Sequence, residues 1–135
     1  FGTAVNLTNS FGGGSRPNVV CSNASIGGSP ESRLNQWFDK SCFTQPDAFT
    51  FGNEPRVDPK LRTDWIHNFD FSAFKDTTFG PDDRMNVQFR AEFFNLFNTP
   101  QFGAPGTTVG NAQYGVVSSQ ANNPRLVQLA LRFMF

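Results

Sequence analysis

The stretch Met85-Asn86-Val87-Gln88-Phe89-Arg90-Ala91-Glu92-Phe93 carries the clearest pattern in the chain. Its odd positions are apolar and its even positions hydrophilic, without exception; a two-residue period belongs to a strand with one greasy and one wet face. A helix competes for the same residues, because Phe89, Phe93, Leu96 and Phe97 fall at i, i+4, i+7 and i+8. Val87 and the unbroken alternation favour the strand. Two flanking segments repeat the period. In 66–75, Phe69, Phe71 and Ala73 alternate with Asn68, Asp70 and Ser72; in 127–135, Val127, Leu129, Leu131, Phe133 and Phe135 alternate with Gln128, Ala130, Arg132 and Met134. Strands are therefore expected at about 66–75, 85–95 and 126–135. A compact polar turn over 76–83 joins the first two, while a long loop over 97–125, rich in Gly, Pro, Asn and Gln, separates the last two. The fold class that follows is all-β, with long antiparallel amphipathic strands and long irregular loops: part of a β-barrel wall or a strand-exchanged β assembly.

Residues 65–135 form this strand region and residues 1–64 a loop-rich one. Turn formers punctuate the first part throughout, at Phe11-Gly12-Gly13-Gly14-Ser15-Arg16-Pro17, Gly27-Gly28-Ser29-Pro30, Gln45-Pro46-Asp47 and Asn53-Glu54-Pro55, so regular elements there must be short. A strand over 3–7 and a helical turn over 31–38, capped by Ser29 with Pro30 at its first position, are expected. Cys21 and Cys42 lie in a stretch rich in Ser, Asn and Gly. A disulfide is the preferred reading, with two free thiols of a reducing compartment as the alternative; a bridge would place the chain in an oxidising compartment. A structural zinc site needs more ligands than two thiols and His67, the one histidine, supply.

The chain has 135 residues, with 11 basic and 11 acidic side chains, so no net charge attracts nucleic acid or anionic lipid. Apolar residues make up only 38%, yet there are 17 Phe. That much Phe argues against a disordered linker. No run approaches the ~20 apolar residues of a membrane-spanning helix. Phe1-Gly2-Thr3-Ala4-Val5-Asn6 lacks the basic start and apolar run of a signal peptide, so a mature or processed piece is expected.

Strand length points to a membrane. Soluble strands average ~5–6 residues, whereas these run to roughly the 9–11 that cross a bilayer at a tilt. A transmembrane barrel alternates lipid-facing and lumen-facing side chains and combines short turns at one end with long loops at the other. A soluble β-sandwich with one wet face also alternates, but gives no reason for strands of this length.

The run from Asn86 through Arg90, Glu92 and Phe93 to Asn98, then Thr99-Pro100-Gln101-Phe102-Gly103 and the ending from Pro124 to Phe135, resembles the C-terminal end of TonB-dependent outer-membrane receptors. The similarity is greatest to the Oar-like transporters with a carboxypeptidase-regulatory-like domain, and Arg16-Pro17-Asn18-Val19 and Trp37-Phe38 extend it over nearly the whole chain. The resemblance implies a bacterial outer-membrane location and a role in closing a barrel wall. It also implies that Leu129, Leu131, Phe133 and Phe135 form the alternating signal read by the barrel-assembly machinery. Phe69, Phe71, Val87, Phe89 and Phe93 are expected on the lipid-facing or packing face. Such receptors have about 22 strands and a plug, and three strands here leave two open edges. Since each unpaired backbone group in lipid costs several kcal/mol, a lone monomeric wall is excluded. The partners are the remaining barrel strands or identical copies joined edge to edge, the latter giving an extracellular fibre.

Catalysis finds little support, and neither enzyme activity nor a cofactor is expected. Asp82-Asp83 reads as a solvated turn, His67 beside Trp65 as an interfacial or packed residue, and Gly12-Gly13-Gly14-Ser15 lacks the Lys and helix of a phosphate loop. Arg90, Glu92, Gln88 and Arg132 share the wet face and could pair across strands. Asn6-Leu7-Thr8 and Asn23-Ala24-Ser25 fit a glycosylation pattern at Asn6 and Asn23. Trp37 with Phe38, and Trp65 with Ile66, could form an aromatic belt, although loop packing accounts for Trp37 equally well.

Overall fold

Frequent turn formers leave the first half of the chain only brief pairings, and the alternating segments take up the long ladders. The computed structural model describes residues 1–9 and 14–135. In chain order the strands are β1 (Gly2–Thr3), β2 (Asn18–Val19), β3 (Phe43–Thr44), β4 (Phe71–Phe79), β5 (Met85–Phe94), β6 (Thr108–Val109) and β7 (Leu126–Met134). Short 3-10 turns lie at Pro30–Arg33, Lys40–Cys42 and Pro81–Asp83. The fold is all-β, and the long strands are antiparallel.

The chain divides into two units. Phe1–Asp64 and Phe102–Gln120 form the first, Trp65–Gln101 and Ala121–Phe135 the second. Residues 97–125 are thus not one irregular excursion. Their middle is part of the first unit, where β6 pairs in parallel with β1, matching Gly2 to Thr108 and Thr3 to Val109.

The first unit is built on aromatic packing under a disulfide. Trp37, Phe38, Phe43, Tyr114 and Val117 are buried together with Ala24 and Cys42. Phe1 stacks on Phe43 at 4.4 Å, and Phe38 meets Tyr114 edge-on at 5.3 Å. Edge-to-face pairs of this kind contribute ~0.5–1.5 kcal/mol beyond their buried area. The Trp37 indole Nε1 donates to the Arg62 carbonyl at 2.8 Å, and the Trp37 backbone N–H donates to Gly115 at 2.8 Å. Cys21 and Cys42 are bonded, with Cα atoms 5.0 Å apart. Trp37 and Phe38, 3% and 1% exposed, are therefore core residues and not part of an aromatic belt. The strand expected over 3–7 stops at Thr3, because Asn6 turns the chain by accepting the Thr8 N–H at 3.0 Å. The helical turn expected over 31–38 is a single 3-10 turn at Pro30–Arg33, and the residues after it are drawn into the core. Of the Phe11-to-Pro17 turn, Phe11, Gly12 and Gly13 lie outside the described residues.

The second unit carries the sheet β4-β5-β7. Met85–Phe94 is a strand, so the helical alternative for this stretch does not hold. β5 and β7 fall within a residue of their expected bounds, but β4 runs over Phe71–Phe79 instead of 66–75. Its start is delayed because the carboxylate of Asp70 caps the end of β5 by accepting the Asn95 N–H at 2.9 Å. Its continuation through Thr77 and Thr78 suits β-branched residues. The turn to β5 shrinks to a few residues opened by Gly80, whose φ of 89° is one that side chains disfavour.

Candidate functional site

Register sorts the second unit's sheet into two faces. On one, Phe71, Ala73, Lys75, Thr77 and Phe79 of β4 stand opposite Phe93, Ala91, Phe89, Val87 and Met85 of β5. Phe93, Ala91, Phe89 and Val87 in turn stand opposite Val127, Leu129, Leu131 and Phe133 of β7. Phe135 continues the same alternation. Leu129 and Leu131 are 65% and 73% exposed, so this apolar surface has no cover among the described residues. An exposed apolar face of this extent marks an interaction with lipid or protein.

Aromatic rings cluster at both ends of that face. Phe71 and Phe93 lie 6.1 Å apart at one end; Phe79 and Phe133 lie 6.0 Å apart, and Phe133 and Phe135 5.7 Å apart, at the other. Eight residues of strand separate the ends by about 27 Å. At the usual barrel tilt this gives a height of about 20 Å, close to the ~25 Å apolar band that aromatic girdles flank.

The opposite face is hydrophilic. Asn86, Gln88, Arg90 and Glu92 of β5 lie between Ser72, Asp76 and Thr78 of β4 and Gln128 and Arg132 of β7. Arg90 pairs with Glu92 at 2.6 Å along its own strand, while Gln88 and Arg132 are register partners. The pattern is not strict: Phe94 and Leu126, Ala130 and Met134 stand on the wet face and Thr77 on the apolar one. Phe74 stands on the wet face opposite Arg90, and Lys75 stands on the apolar face opposite Phe89. A lysine facing lipid at mid-membrane costs ~2–4 kcal/mol. Phe69 precedes β4 and meets Phe97 edge-on at 5.4 Å, so it is not on the wall strand where it was expected.

A polar cluster at the loop end of the sheet escaped sequence reading. Asn95, 6% exposed, donates through Nδ2 to the Asn123 carbonyl at 3.1 Å and accepts from the Thr99 N–H at 3.0 Å. Gln101 donates through Nε2 to the His67 carbonyl at 2.8 Å, and its N–H donates to Asn122 Oδ1 at 2.8 Å. Asn95 and Asn98 both take left-handed conformations, with φ of 52°. The signal available was the spacing Asn95, Asn98, Pro100 within a strand-ending stretch, since Asn tolerates that conformation and bonds its own backbone. These bonds close off strand ends. A hollow of about 370 Å³ beside them is lined by Asp70, Asn68, Phe94, Asn122 and Leu126, among others.

The remaining sequence candidates are dispersed. His67 stacks on Trp65 at 6.5 Å. Asp82 sits in the tight turn 3.7 Å from Arg84. Asn6 and Asn23 are exposed in Asx turns, Asn23 accepting the Ser25 N–H at 2.9 Å. Among the described residues no cluster of three or more His, Cys, Asp or Glu could hold a metal ion, and no helix is long and apolar enough to cross a membrane. In the first unit, Glu54 is 2% exposed and its carboxylate oxygens have no hydrogen-bond partner among the described residues. Burial raises its affinity for a proton, reinforced by Asp58 and opposed by positive charges including Arg16. Burial likewise pushes the Tyr114 phenol up, with Glu54 adding to the effect.

Strands of nine and ten residues, one greasy face ringed by aromatics and one wet face define a segment of a membrane β-barrel wall. Residues 1–128 match the family described as Outer membrane beta barrel domain, and the chain belongs to that family. It is a protein of the bacterial outer membrane. No curated protein and no solved structure matches the chain.

Proposed function

We propose that the chain is the C-terminal wall of a TonB-dependent, Oar-like outer-membrane transporter, with a structural and non-enzymatic role. The three-stranded sheet carries this reading: among the described residues β4 and β7 are each paired on one side only, and the resulting open edges are untenable in lipid until further strands close them. The likeness of the Asn86-to-Gly103 stretch and of the Pro124-to-Phe135 ending to such receptors supports the finer assignment. In this reading Leu129, Leu131, Phe133 and Phe135 present the insertion signal to the barrel-assembly machinery. The strand-added extracellular fibre satisfies the same open edges, and one experiment separates the two. An antibody to the first unit, used on native outer membranes, is expected to recover a polypeptide far larger than 15.0 kDa that binds the purified periplasmic domain of TonB. Recovery of a 15.0 kDa chain in detergent-free fibres, with no affinity for TonB, refutes the transporter.

A further inference from the structure

Lys75 is the middle residue of β4, four residues from either end. Each end is therefore about 13 Å away along the strand, roughly twice what an extended lysine side chain can reach by snorkelling. On this face its own sheet offers no counter-charge, Asp76 and Glu92 lying on the other. Phe89 stands directly opposite and Leu131 one strand further on, and the odd positions of β5 and β7 on this face are apolar throughout. Among the described residues no ion pair includes Lys75. The one remaining side within cross-strand distance is the open edge of β4.

We infer that the strand completing the open edge of β4 brings an Asp or Glu carboxylate onto the apolar face beside Lys75, and that this strand is not a second copy of the chain. A copy docking β7 with its apolar face on the same side offers Val127, Leu129, Leu131 and Phe133, and no carboxylate. Docked with faces reversed, it offers Arg132, a like charge. A second β4, faces aligned, offers Phe71, Ala73, Thr77, Phe79 and another Lys75. A second β4 with faces reversed would bring Asp76 to this side, but only by turning the rest of its wet face, Ser72 and Thr78 included, toward lipid, so a strand of different sequence is what neutralises the ammonium without that cost. The inference rests on the sheet being outer-membrane wall, since in water Lys75 would need no partner.

The test uses the barrel protein purified from outer membranes in detergent and treated with a membrane-permeant carbodiimide. The reagent joins the Lys75 amine to an adjacent carboxylate as an amide, taking up the water lost and leaving as a urea. Peptide mapping is expected to find Lys75 linked to an Asp or Glu of a strand outside residues 1–135, and no such product in Lys75→Arg. Lys75→Met is expected to lower the thermal transition, followed by heat-modifiable migration, by roughly 5 °C, because it strands a carboxylate in an apolar setting. A lowered transition supports the pair even without a mapped product. A raised or unchanged transition overturns it, as does a linkage to a residue of this chain or of its copy. If the unsubstituted protein showed no heat-modifiable migration, the wall reading itself would fail, a result distinct from either sign of the Lys75→Met shift.

Discussion

The Asp70 carboxylate accepts the backbone N–H of Asn95 at 2.9 Å, tying the residue before β4 to the residue after β5. Oδ1 and Oδ2 of Asp70 also accept from Asn68 Nδ2 at 3.1 Å each. One side chain thereby sets where the ladder begins.

Asp70→Ala should remove that charge-assisted cap and cost about 1.5–3 kcal/mol. Urea unfolding in detergent measures the loss. Faster amide exchange at Asn95 and Leu96 should accompany it, and unchanged exchange there would count against the capping role.

The two faces of β7 should respond oppositely to charge. Leu129→Arg places a guanidinium toward lipid and should destabilise the folded wall by ~2–4 kcal/mol, whereas Gln128→Arg, on the wet face beside Glu92, should stay within about 0.5 kcal/mol of neutral. Equal effects in a bilayer refolding titration would mean that the assigned faces are wrong.

Alternation along β7 should also govern assembly. Phe133→Ala with Phe135→Ala is expected to reduce insertion into membranes containing the assembly machinery, read as the heat-modifiable fraction. Arg132→Ala, next to Phe133 but facing the other way, should leave that fraction nearly unchanged.

Glu54 gives the first unit a pH dependence. Its carboxyl, ordinarily near 4.5, is held higher by burial, so the folded state disfavours its charged form. The stability is fully present below the unfolded value and is lost as pH rises through the folded one. Glu54→Gln should flatten the profile and stabilise the unit at neutral pH. Thermal unfolding followed by near-ultraviolet circular dichroism across pH 4 to 8, conditions spanning the range about the usual Glu value, provides the check.

Reduction of the Cys21–Cys42 bridge, or Cys21→Ser with Cys42→Ser, releases a loop closed over 21 residues. The expected cost is roughly 3 kcal/mol, confined to the first unit. Loss of Trp37 burial should appear in its fluorescence, while the β4-β5-β7 sheet should keep its exchange protection.

Local chemistry made much of the wall legible. Met85 to Phe93 alternate so strictly that any other backbone would strand polar groups beside apolar ones, and the nearest turn formers bound the strand. For β4 the period does not fix where the ladder begins. Phe69, Phe71 and Ala73 keep one parity across the start of the strand, but Asp70 is engaged in capping Asn95, a contact 25 residues away that no period reveals. Trp37 and Phe38 showed a comparable ambiguity: an exposed belt and a buried core call for the same residue types, and only the packing against Phe43 and Tyr114 distinguishes them.

What the amino-acid order determined by itself was the period, hence long two-faced strands with unlike ends, because side-chain direction in a strand depends only on parity. What the tertiary structure alone decided was which residues become neighbours: Lys75 beside Phe89, Asp70 under Asn95, and Phe102–Gln120 folded with Phe1–Asp64. Those pairings depend on register and on long-range packing. They arise from free-energy differences summed over many distant contacts, which no local stretch of the chain contains.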